Sequence, residues 1–250
     1  MYKKLQPLII IVIAVIILFG NFIFFNFLLD KKEEELIEKT GRIELSKNYI
    51  KSNSTDVSLI DVITNIAYPS SYGISHQPFE NQLSMKEAIQ ISKSTIIKFI
   101  QNGIILDISD IQKRITNEKN YTSNLSTKAD NTMQLNPLYS LWDIKYNDDN
   151  SWVYISLNAI TGDVLKLLVK EDFEDSKQNL NIKSAEEILN LYLEYLKLED
   201  LKTDFLKFDK TYARCKIKDT DVCLIVSYMI DEKSYHLDIS FATYTQEVDN

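Results

Sequence analysis

Glycine is scarce in this chain of 250 residues: there are five, with four prolines, two cysteines and two histidines. Each shortage excludes something. So few scattered glycines cannot build a phosphate-cradling loop, and no Gly-x-Ser-x-Gly nucleophile elbow occurs. The histidines, His76 and His236, stand far apart, so a zinc site would have to recruit carboxylates from distant segments; no metal or other cofactor is expected. No Cys-x-x-Cys spacing exists, which removes a redox pair. Basic residues are in deficit, 28 Lys and Arg against 36 Asp and Glu, for a net charge of −8. A nucleic-acid binder needs the opposite balance, because affinity for the phosphate backbone comes from Lys and Arg displacing counterions. Carboxylate pairs such as Glu186-Glu187 and Glu171-Asp172 are sequence neighbours that read as solvated faces, and no enzyme is expected.

What is present begins with an apolar run from Leu8 to Leu29, interrupted only by Gly20, Asn21 and Asn26. About 22 residues at a helical rise of about 1.5 Å cover the roughly 30 Å hydrocarbon core of a bilayer. The exit, Phe24-Phe25-Asn26-Phe27-Leu28-Leu29-Asp30, is too bulky for signal-peptide cleavage, so the run reads as an uncleaved signal anchor. Lys3 and Lys4 are balanced by Lys31 and Lys32; the short stub then favours a cytoplasmic N-terminus with the long remainder translocated. The expected location is the cell membrane, single-pass, with the C-terminal domain extracytoplasmic. Subtracting Lys3, Lys4 and Asp30 leaves that domain more acidic than the whole, which also disfavours broad docking on anionic lipid. Abundant Lys, Asn and Ile match the composition of AT-rich Gram-positive genomes.

Beyond the anchor (1–30), residues 31–82 read as a juxtamembrane stalk and loop: a charged helix over 31–52, a short helix over 57–67, and a loop from Pro69 to Gln82. Ser84-x-x-Glu87 forms a capping box ahead of an apolar face that includes Ala88, Ile96 and Phe99, and Gly103 provides a stop. The Asn-, Ser-, Thr- and Lys-rich tract 117–136 reads as a long loop. Strands follow over 141–146, 152–157 and 163–169, with turns at Asn147 to Asn150 and at Thr161-Gly162. The plan then recurs: Ser184-x-x-Glu187 caps a second helix, and strands follow at 205–217, 222–230 and 234–243. Cys215 and Cys223 share the 212–230 hairpin. A turn centred on Asp219 places them opposite each other, whereas one centred between Asp219 and Thr220 points them to opposite faces.

Leu83-Ser84-Met85-Lys86-Glu87-Ala88, then Trp142-Asp143-Ile144-Lys145-Tyr146, then Leu157-Asn158-Ala159-Ile160-Thr161-Gly162-Asp163-Val164-Leu165 resemble a PepSY domain over residues 83–169. Asn158 stands where that family usually has Asp, and Asp163 where it has Glu. The second half, 183–243, shares the order of elements but lacks the Thr-Gly turn. The resemblance implies a cystatin-like α+β module of envelope or secreted proteins that restrains or binds peptidases, with no catalytic residues to carry over. The expected fold class is therefore α+β: an N-terminal transmembrane helix followed by two small helix-plus-antiparallel-meander units, a PepSY-like one at 83–170 and a second at 180–250.

Aromatic residues supply the candidate partner-binding surface, Trp142, Tyr146, Trp152 and Tyr154, on neighbouring strands; the surface forms if Trp142 and Trp152 both face away from the helix. The cluster Asp143, Asn147, Asp148, Asp149 and Asn150 lacks the twelve-residue calcium pattern and reads as a hairpin turn. The expected function is a membrane-tethered binding protein that modulates another envelope protein, a peptidase by the resemblance. The alternative is a structural component of an envelope or sporulation assembly that self-associates through its α+β modules.

Overall fold

The computed structural model describes residues 58–67, 73–107, 109–116, 121–129, 135–148, 151–172, 182–207 and 209–244, all within one compact unit spanning Lys47–Asn250. The expected anchor at 8–29 and stalk helix at 31–52 lie outside the described residues. Among those described, no helix is long and apolar enough to cross a membrane.

Among the described residues, four α-helices, α1 (Leu59–Ala67), α2 (Met85–Gln101), α3 (Ser109–Thr116) and α4 (Ala185–Leu196), accompany nine strands. The strands are β1 (Gly73–Ser75), β2 (Tyr121–Ala129), β3 (Leu135–Asp148), β4 (Ser151–Asn158), β5 (Val164–Asp172), β6 (Lys202–Lys207), β7 (Tyr212–Ile217), β8 (Val222–Ile230) and β9 (Ser234–Thr243). Both main helices start as their sequences require. Ser84 and Ser184 accept from the backbone N–H of Glu87 and Glu187, whose carboxylates accept in return from the serine N–H groups at 2.8 and 2.7 Å. Each box satisfies two amides that the first helical turn leaves without intrahelical acceptors.

The strands form one antiparallel sheet in the order β1-β2-β3-β4-β5-β9-β8-β7-β6. This corrects the expected fold class. The two helix-plus-meander halves exist, α2 on β3 and β4 and α4 on β7 and β8, but they are not separate units. Their last strands pair from Leu167↔Ile239 to Asp172↔Ser234, so the two meanders run outward from a shared centre. The helices also meet: Phe99 of α2 packs edge-on against Tyr195 of α4 at 4.8 Å and lies 5.8 Å from Tyr192. Tyr192 donates to the Val164 carbonyl at 2.7 Å, and the Tyr195 hydroxyl accepts from Val164 N–H at 3.2 Å. A half-domain would expose this aromatic seam to water, and burying it is what makes one core of two.

Two further expectations change. The tract 117–136 contains β2, held against β3 from Tyr121↔Tyr146 to Ala129↔Leu135, and the loop 69–82 contains β1. Polar composition does not prevent a strand when backbone pairing and one buried face supply the stabilisation. Segment 205–217 is two strands, β6 and β7.

Strand alternation sorts the core. Trp142, Ile144 and Tyr146 of β3, Val153, Ile155 and Leu157 of β4, Leu167 and Val169 of β5, and Leu237 and Ile239 of β9 share the buried face under α2 and α4. At the Thr161-Gly162 turn, the Asn158 side-chain oxygen accepts from the backbone N–H groups of Ile160 and Thr161, and its amide nitrogen donates to the Leu138 carbonyl. A carboxylate there could not make the last bond, so this turn favours Asn at 158. Gly162 has φ +76°, a conformation that favours glycine, and an added Cβ would press on the Ile91 side chain of α2 at 3.1 Å.

Candidate functional site

The residues between the core positions face the other way. Leu141, Asp143 and Lys145 of β3, Trp152, Tyr154 and Ser156 of β4, Lys166, Leu168 and Lys170 of β5, and His236, Asp238 and Ser240 of β9 alternate with the buried set and line the second face of the sheet. The register pairs Asp143 with Ser156 and Ser156 with Lys166.

At the centre of that face, Asp143 Oδ1 accepts from the Tyr154 hydroxyl at 2.6 Å and from the Ser156 hydroxyl at 2.5 Å. Burial first, then the Asp143 charge, push the Tyr154 phenol far above its ordinary value, so it remains a neutral donor. Lys166 Nζ stands 5.9 Å from the Tyr154 ring and Lys145 Nζ 5.2 Å from the Trp152 ring. A cavity of about 390 Å³ opens here, its polar floor made by Asp143, Ser156 and Ser240 and its apolar walls by Ile66 of α1, Leu141 and Phe241. Further along β4 and β5, a shallower groove of about 430 Å³ is lined by Trp152, Leu168, Met229, His236 and Asp238. Met229 is 56% exposed, the most open large apolar side chain described.

The four aromatic candidates are therefore not brought together. Trp142 and Tyr146 are buried beneath α2: the Trp142 indole donates to the Leu83 carbonyl at 2.9 Å, and the Tyr146 hydroxyl meets Ser92. Burial pushes the Tyr146 phenol up to about 12. Trp152 and Tyr154 lie on the second face, because β3 and β4 pair Asn147 with Trp152 and Trp142 with Leu157. Ser156, Lys166 and Asp238 are not singled out by the sequence, and Asp143, read there as part of a hairpin turn, lies within β3 opposite Ser156. The signal that could have found them is their parity with Trp152 and Tyr154, which becomes usable once the register is known.

The cysteines follow the second of their two registers. Cys215 faces Leu224 and Cys223 faces Lys216, with Asp219 at φ +60° in the turn, so the thiols point to opposite faces and remain free. Burial pushes Cys215 up to about 12, leaving an unreactive thiol. His76 lies near Ser140, its Nε2 at 3.3 Å from the hydroxyl, while Nδ1 contacts the Gln77 carbonyl at 2.8 Å. His236 is remote from it, in the groove. Among the described residues no three His, Cys, Asp or Glu side chains gather as a metal site would require.

Compared with protein-family models, curated proteins and solved structures, the chain matches none.

Proposed function

We propose that this chain is a membrane-tethered binding protein whose extracytoplasmic sheet domain engages and modulates another envelope protein through the second face of the sheet. The observation that carries the reading is the pairing of a cavity and a groove on one face, with polar floors, aromatic walls and the exposed Met229. The tether is read from the apolar run 8–29, and a peptidase as partner class from the PepSY resemblance. Self-association through sheet edges is the weaker reading: β1 is only 3 residues long, and the opposite edge strand, β6, carries Lys202 and Asp204, which blunt edge pairing.

The test is site-specific photo-crosslinking in cells that make the full chain, with the photoreactive side chain placed in turn at Trp152, Tyr154 and Met229 on the second face and at Met85, exposed on α2 on the other side of the sheet, as a control. Adducts to one envelope protein from the first three positions and not from the control support the proposal. Adducts only to the chain itself, or only to cytosolic proteins, overturn it.

A further inference from the structure

Among the described residues, three buried side-chain nitrogens or oxygens have no hydrogen-bond partner: Nε of Arg114, Nε of Arg214 and Oδ1 of Asp238. Only Asp238 lines one of the two spaces on the second face, the groove beside Trp152 and Met229. It sits in the middle of β9, paired with Leu168 on one side and Ser227 on the other, with His236 and Ser240 next to it on the same face. All four neighbours are described, and none donates to Oδ1. The lysines of β5 on this face are turned to other groups: Lys170 Nζ lies 3.5 Å from Asp172, and Lys166 Nζ stands over the Tyr154 ring at 5.9 Å.

Asp143, three strands across on the same face, is answered within the fold by the Tyr154 and Ser156 hydroxyls. Its partner on β4 is Ser156, whereas the partner of Asp238 on β5 is Leu168. An aliphatic neighbour excludes water from a carboxylate and returns no hydrogen bond, so a charge placed there gains more from an arriving cation than an exposed one does. Asp238 as a whole is half-buried: one oxygen is withdrawn from water while the residue still lines the groove, from which a ligand reaches its carboxylate. Trp152, Leu168 and Met229 give the groove apolar walls. That combination matches a long basic side chain, which lays its methylene stem on apolar surface and carries its charge at the tip.

We propose that Asp238 is the recognition carboxylate of the groove, accepting an arginine or lysine side chain of the partner protein whose stem packs on Trp152, Leu168 and Met229. The proposal rests on the function proposed above and names the chemistry by which the partner is held. An arginine offers the carboxylate two parallel N–H groups, a lysine a compact point charge.

The experiment titrates the full chain, in mild detergent at constant ionic strength, with Nα-acetyl-arginine amide, Nα-acetyl-lysine amide and the uncharged Nα-acetyl-citrulline amide. The readout is the carbon-13 methyl resonances of the methionines, because Met229 lines the groove and Met85 lies on the other side of the sheet. One or both cationic amides should shift Met229 saturably, with a Kd of about 1 mM for so small a ligand, while citrulline amide leaves it in place and Met85 stays fixed. Asp238→Asn should weaken the response at least about tenfold, with an unchanged Met85 resonance reporting that the variant is folded. The citrulline comparison needs no variant. No saturable shift with either cation, an equal shift with citrulline amide, or an undiminished response in Asp238→Asn overturns the proposal. Photo-crosslinking separates it from the reading beneath it, since Asp238→Asn should also lower the adduct yield at Met229. Undiminished adducts to an envelope protein sink the basic-side-chain assignment and leave the binding face standing. A cation-specific Met229 shift without any envelope adduct keeps the Asp238 site and removes the proposed function.

Discussion

In the first half of the sheet, Arg114 and Glu171 lock α3 to β5 with side chains only 3% exposed; in the second half, Arg214 is nearly as buried and its guanidinium lies 5.3 Å from the Tyr244 ring. The halves otherwise share their plan. Each begins with a Ser-x-x-Glu capping box, lays a helix across the middle of a four-strand meander, and ends on a strand that joins the seam. The difference comes from what lies between helix and meander. The first half inserts α3, which carries Arg114 into the core; the second has only a short turn at Glu199–Leu201. A repeated scaffold thus keeps its caps and core alternation while its buried charges are settled segment by segment.

The largest expected effects test the seam and the internal pair. Phe99→Ala removes the ring that joins α2 to Tyr192 and Tyr195, and should cost about 3–5 kcal/mol in denaturant unfolding. If the halves are one cooperative unit, the variant still unfolds in a single transition by both tyrosine fluorescence and circular dichroism; two separated transitions would break the account of a shared core. Glu171→Gln leaves Arg114 buried without its counter-charge and should destabilise by about 3–5 kcal/mol. A loss under about 1 kcal/mol would mean that water already screens the pair.

A smaller effect compares the repeated caps. Ser84→Ala and Ser184→Ala should each cost about 1 kcal/mol, and the double variant their sum, because the two boxes share no partners. Marked non-additivity would indicate that the helix starts are coupled through the seam. The smallest is a pH effect peculiar to the first half. Burial, opposed by the Gln77 carbonyl, holds the His76 imidazole below its ordinary value of 6.5, so the fold favours the neutral ring. That contribution is complete above the ordinary value and is lost as pH falls through the folded-state value. Unfolding stability measured from pH 8 to 5 should therefore decline less steeply in His76→Gln than in wild type; identical slopes would show that His76 does not carry this dependence.

Much of the chain's local structure was legible. α1, α2 and α4 lie where capping boxes and apolar spacing placed them, and β3, β4, β5, β8 and β9 overlap the expected strands. α3 escaped notice because it is only 8 residues long and has little apolar content. β2, Tyr121-Thr122-Ser123-Asn124-Leu125-Ser126-Thr127-Lys128-Ala129, was hidden by polar composition: it lies near one side of the sheet and is held by pairing with β1 and β3. The site was half legible. Alternation separated Trp152 and Tyr154 from their neighbours, but parity within one strand does not say which face of the next strand it joins.

What the residues determined by themselves is whatever depends on near neighbours along the chain: helix starts, turns such as Asn158 to Asp163, and strand alternation. The tertiary structure decided register and partnership. It put Trp142 in the core and Trp152 outside it, sent Cys215 and Cys223 to opposite faces, fused two meanders through β5 and β9, and gave Glu171 to Arg114. The physical reason is range. Capping and periodicity are settled within a few residues, whereas pairing two strands or burying a charge depends on which distant segment arrives opposite, and that is decided only when the whole core closes.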